Sequence, residues 1–147
     1  MITTIVTGVD GSDTAGDAAH TAAWLATSLG ARLIVLSAYT DFQVHRIQAG
    51  SDEFVYTSEG DARLVAESTA TALRAEFGDL AVEAMAAEGK PQQALVRVAE
   101  EVGAQLIVVG NKRVQGLGSV LGSVAREVTQ HATCDVYVAH THHRRHR

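Results

Sequence analysis

The chain has 147 residues, a length that suits one domain, with 46% hydrophobic and 20% charged residues, enough apolar material to bury a core. Its formal charge is −5, and the last eight residues, His140 to Arg147, carry three of the twelve bases, four of the seven histidines and no acid, which leaves a body at −8. A body that acidic repels phosphate backbones and argues against general nucleic-acid binding. No apolar run reaches the roughly twenty residues of a membrane helix, the N-terminus lacks a basic secretory start, and a single cysteine, Cys134, forms no internal disulfide. These point to a cytoplasmic protein.

In chain order, the first β-branched apolar run is Thr4 to Asp10. Ala15, Ala18, Ala22, Leu25 and Leu29 then recur at helical spacing, with Ser12 or Asp13 as cap and Gly30 as stop. Arg32 to Tyr39 is a second strand. Thr40 to Ser58 has no clear period and reads as a long irregular connection. Ala66, Ala70, Leu73 and Phe77 mark a second helix, Leu80 to Ala87 a third strand, and Leu95, Val98 and Val102 after Pro91 a third helix. Gln105 to Gly110 is a fourth strand, Gly122 to Ala132 a fourth helix and Asp135 to Ala139 a fifth strand. The single tryptophan, Trp24, is expected to be partly buried.

Five strands alternating with four helices predict a doubly wound parallel sheet. Strands one, two and four are apolar on both faces and belong in the middle. In the third strand Glu83 interrupts one face, so it belongs at an edge. The order is then 3-2-1-4-5, and ligands of such sheets bind where the winding reverses, beside the carboxyl ends of strands one and four. That directs attention to Asp10 to Asp13 and Gly110 to Ser123.

The segment from Gly110 to Val124 holds four glycines, the last of them Gly122 where the fourth helix opens, with Ser119 and Ser123 as hydroxyls and Lys112, Arg113 and, just after the segment, Arg126 as local cations. Glycines let backbone amides curl around an anion, and a helix N-terminus adds unpaired N–H groups. The alternative is a solvated glycine-rich turn. The spacing matches neither a dinucleotide fingerprint nor a P-loop: in Gly11 to Gly16, Asp17 stands where a P-loop requires lysine. Asp10, ending strand one, can accept hydrogen bonds from a ribose or an exocyclic amine.

Val9-Asp10-Gly11-Ser12, Val108-Val109-Gly110-Asn111-Lys112, Leu121-Gly122-Ser123-Val124 and the closing Cys134-Asp135-Val136 occur in an order and placement that resembles the universal stress protein family over the whole chain. The resemblance implies an adenine nucleotide alpha hydrolase-like sheet of order 3-2-1-4-5 over residues 1–139, followed by a basic tail, 140–147, expected to be disordered. It implies homodimers paired through the fifth strand, a role in stress response and, in some members, binding of ATP or cyclic AMP, with Mg2+ accompanying ATP. Nucleotide contacts carried over by motif are Asp10, Gly11, Ser12, Ala38, Val109, Gly110, Lys112, Arg113, Gly122, Ser123 and Val124.

One departure matters. In ATP-binding members a second glycine follows the first after two residues; here Arg113 stands there, and eight rather than nine residues separate it from Gly122. A shorter loop with a guanidinium favours a shorter phosphate chain, as in AMP or cyclic AMP. Equally, it leaves open a member that binds no nucleotide and acts as a dimeric interaction module. No triad or dyad is assembled by the sequence, so no enzyme beyond a weak ATPase is expected. Cys134, His20 and His131 read as structural. Metal handling rests only on His140, His142, His143 and His146.

Overall fold

The computed structural model describes residues 1–40, 44–49, 52–111 and 121–141. The strands are β1 (Thr4–Gly8), β2 (Arg32–Tyr39), β3 (Val44–Ala49), β4 (Asp52–Thr57), β5 (Val82–Glu88), β6 (Leu106–Gly110) and β7 (Asp135–Ala139), and the helices α1 (Asp13–Leu29), α2 (Ser58–Glu76), α3 (Pro91–Val102) and α4 (Ser123–His131). Five strands form one sheet in the order β5-β2-β1-β6-β7, parallel throughout. This is the predicted 3-2-1-4-5 arrangement, with the Glu83-bearing strand at one edge.

Double-sided burial follows from the pattern of the central strands. Ile5, Leu33, Val35 and Val108 pack with Ala18, Ala19, Ala22 and Ala23 of α1 and Ala66, Ala70 and Leu73 of α2 on one face. Val6, Ile34, Leu36 and Ile107 pack with Ala94, Leu95 and Val98 of α3 and Ala125 and Val128 of α4 on the other. Adjacent residues thus serve opposite cores, which is why these runs are apolar without alternation. The alanine-rich face of α1 lets that helix lie close to the strands.

The helix ends obey local chemistry. Ser12 caps α1, its side chain accepting from the Ala15 N–H at 3.2 Å, and Asp13 is the first helical residue rather than the cap. Gly30 and Gly103 close α1 and α3 in the left-handed conformation, at φ +67° and +68°. Pro91 opens α3 where a missing N–H costs nothing.

Two expectations are corrected. The connection after β2 is not irregular: β3 and β4 pair antiparallel as a separate two-stranded sheet, in register from Val44↔Thr57 to Ala49↔Asp52. The first run, Val44–Ala49, holds only Val44 and Ile47 as β-branched residues, so little in it marks a strand, but Phe54-Val55-Tyr56-Thr57 in the second and Gly50-Ser51 between them are hairpin signals. Trp24 is 58% exposed rather than partly buried. The buried stripe of α1 is Ala18, Ala19, Ala22, Ala23 and Ala26, and at 100° per residue position 24 falls about 170° from its centre.

Candidate functional site

β1 and β6 are neighbours in the sheet, yet one is continued by α1 on one face and the other leads to α4 on the opposite face. The chain therefore parts at their carboxyl ends, and a crevice of about 710 Å³, counting its open mouth, lies there. Its walls come from the end of β1 (Gly8, Val9, Asp10), the start of α1 (Ser12, Thr14, Ala15), β2 (Leu36, Ala38), α3 (Pro91, Leu95), β6 (Val109, Gly110) and Val124 of α4. The lining is mostly apolar. Asp10 is the one carboxylate among the described lining residues, with Ser12 and Thr14 supplying hydroxyls.

Of the residues singled out by sequence, Asp10, Ser12, Ala38, Val109, Gly110 and Val124 meet in this crevice. Gly11 does not line it. It takes φ +85°, which turns the chain sharply from β1 into α1, and it borders a second groove between α1 and α2 with Asp13, Asp17, Val65 and Ser68. Gly122 is the N-cap of α4 with φ −64° and ψ 162°, and it has no side chain with which to cap that helix. Among the described residues no side chain accepts from its first-turn N–H groups, which an α-helix leaves without intrahelical partners. Ser123 opens α4 and is exposed. Lys112 and Arg113 lie outside the described residues. Arg126 is exposed and absent from the described lining, so that cation does not gather at the crevice.

Asp10 has a local role as well: its Oδ1 accepts from the Ser12 N–H at 2.9 Å, an Asx turn that fixes the carboxylate at the crevice rim. Gly110 is closely approached by its neighbours. A Cβ there would stand 3.2 Å from Cγ2 of Thr141 and 3.4 Å from Cγ2 of Thr14. Sequence reasoning missed Thr14, Pro91 and Leu95. The signal was present in the topology, because α3 follows an edge strand whose carboxyl end faces the same crevice.

Other candidates resolve into structure. His20 pairs with Glu76 and sets its ring edge-on to Phe77 at 5.2 Å, tying α1 to α2. His131 Nδ1 meets the Glu127 carbonyl at 2.9 Å and closes the end of α4. Cys134 packs against the α3/α4 core, and burial first, then the Asp135 carboxylate, pushes its thiol pKa up, the opposite of an activated nucleophile. No group of three or more histidine, cysteine or acidic residues able to hold a metal occurs among the described residues; His142, His143 and His146 lie outside them. His140 and Thr141, the first residues of the basic tail, are held in place by Asn111. No described helix is long and apolar enough to cross a membrane.

Against known proteins, a family model described as the universal stress protein family matches residues 1–140. The chain is 36% identical over 143 residues to the universal stress protein Rv1636 of Mycobacterium tuberculosis, spanning 94% of this chain and 96% of that protein. Among solved structures, a universal stress protein in complex with cyclic AMP aligns at TM-score 0.75 and 29% identity, over 96% of this chain and 98% of that one. The universal stress protein of Archaeoglobus fulgidus in complex with dAMP aligns at TM-score 0.67 and 25% identity, over 94% of this chain and 98% of that one.

Proposed function

The chain belongs to the universal stress protein family, and from that premise we propose that it binds an adenine nucleotide in the crevice between the ends of β1 and β6. The observation that carries the reading is the crevice lining: an apolar bed of Leu36, Ala38, Leu95, Val109 and Val124 with a single carboxylate at the rim. A purine ring is flat and apolar on its faces and suits that bed. The Asp10 carboxylate accepts from ribose hydroxyls, and the phosphate turns toward the N-terminus of α4 at Gly122 and Ser123, where partial positive charge collects. Lys112 and Arg113 supply charge to the phosphate in this reading.

The ligand is a nucleoside monophosphate, AMP or cyclic AMP, ahead of ATP. Arg113 and the shortened Gly110–Gly122 spacing support this choice, and the two related structures named above hold cyclic AMP and dAMP. With ATP, a Mg2+ ion would rest chiefly on the phosphates, since Asp10 is the one carboxylate of the described lining. The protein acts as a regulator rather than an enzyme, occupancy deciding which partner it meets, and it works in the cytoplasm as a homodimer paired through β7.

Titration calorimetry with ATP, ADP, AMP and cyclic AMP at millimolar concentration tests this: heat with at least one supports it, and none with any removes it. Arg113 and the short loop also favour a second reading, a family member that binds no nucleotide and serves as an interaction module. Gly122→Asp separates the two, abolishing nucleotide binding under the first and changing nothing under the second.

A further inference from the structure

Asn111 is the residue by which the chain leaves β6, next to Gly110 of the crevice wall. Its N–H donates to the Ala139 carbonyl at 3.1 Å, extending the β6–β7 pairing by one step. Its side chain reaches further. Oδ1 accepts from the Thr141 N–H at 2.9 Å and from the Thr141 hydroxyl at 3.0 Å, and Nδ2 lies 2.7 Å from His140 Nδ1. The Thr141 backbone N–H can only donate, so the amide oxygen must face it. Nδ2 is then the donor to His140, whose Nδ1 accepts.

Thr141 is only 8% exposed, although it stands within a histidine- and arginine-rich terminus. Its methyl and that of Thr14 lie 3.2 and 3.4 Å from the position a Gly110 Cβ would take. The first two residues after β7 are thus built into the wall behind Gly110, and one amide side chain holds them there.

We infer that Asn111 is a positioning residue for the ligand crevice, acting through Thr141: the Asn111–His140–Thr141 clasp fixes Gly110 and the direction in which the chain departs from β6. The inference rests on the adenine-nucleotide reading only for the ligand's identity. It divides the C-terminal segment, assigning His140 and Thr141 to the frame of the site.

Two truncations of the full chain test it. A chain ending at Thr141 keeps AMP affinity within about twofold, while a chain ending at Ala139 loses about tenfold, as removal of a few net hydrogen bonds would give. Asn111→Ala loses a similar factor, and combining it with the Ala139 end adds nothing, because both remove one clasp. Thr141→Val, which keeps volume but not the hydroxyl, weakens binding, and Thr141→Ser retains it. Amide hydrogen exchange at Val109 and Gly110, read without nucleotide, quickens in Asn111→Ala and with the Ala139 end but not with the Thr141 end. Equal losses from both truncations, or additive losses in the combined variant, overturn the inference. If the full chain binds no AMP, the nucleotide reading fails, and the exchange pattern alone supports or overturns the clasp.

Discussion

Gly110 shows how much one missing methyl can decide. With threonine methyls 3.2 and 3.4 Å from the place its Cβ would occupy, Gly110→Ala overpacks the junction and should cost about 1–3 kcal/mol. Urea denaturation measures it, and an unchanged midpoint would refute the packing argument. Gln105 is a second such residue. Its Oε1 accepts from Thr3 N–H, Thr4 N–H and the Thr3 hydroxyl, and its Nε2 donates to the Gly103 carbonyl. The side chain stitches the start of β1 to β6, so Gln105→Ala is expected to lower stability by about 1–2 kcal/mol. Cys134 carries a pH signature. Its thiol pKa is raised above the ordinary 9.0 by burial and by Asp135, so the unfolded chain releases that proton first as pH rises. The associated stability is complete below the unfolded value and is lost through the folded one. Alkylation of the native protein just below 9.0 should be slower than that of a free cysteine, and an equal rate would contradict the raised pKa.

At the scale of elements, α1 is the most instructive. Its boundaries were legible because capping is local chemistry: Ser12 and Gly30 act within one turn of themselves. Its buried face was less so. With alanine at six positions from Ala15 to Ala26, several stripes are equally apolar, and which one meets the sheet depends on where β1, β2 and β6 lie. Trp24 therefore falls outward, and Trp24→Gln should move the melting temperature little, by the equivalent of less than about 0.5 kcal/mol. A marked loss would mean that this face is covered in solution. The β3–β4 hairpin escaped notice for a related reason. A two-stranded ribbon outside the main sheet need not show the alternation that a sheet packed on one face imposes.

The whole molecule joins an acidic body to one apolar crevice at the reversal of the sheet. β7 ends that sheet with one side unpaired among the described residues, and Tyr137 is 44% exposed on it. An uncovered edge invites a second copy. Light scattering at micromolar concentration should therefore report a dimer, and Tyr137→Lys should shift it toward monomer. A monomer before any substitution would remove the β7 pairing.

The four helices, the five strands of the main sheet and their order, and the position of the crevice were legible in the sequence; the β3–β4 hairpin was not. Periodicity, β-branched runs and caps are short-range properties, and the winding rules for parallel sheets turn them into a topology. The family motifs placed Asp10, Ala38 and Gly110 at the same strand ends and Val124 in the first turn of α4 beside them. Only the tertiary structure decided which distant residues complete that site. Pro91 and Leu95 enter it from α3, which follows the edge strand β5 in sequence but packs back over β1 and β2, and Thr141 closes on Asn111 across 30 residues of chain. Periodicity records which face of an element is apolar, whereas contact between elements depends on strand register and helix placement, which exist only once the sheet has formed.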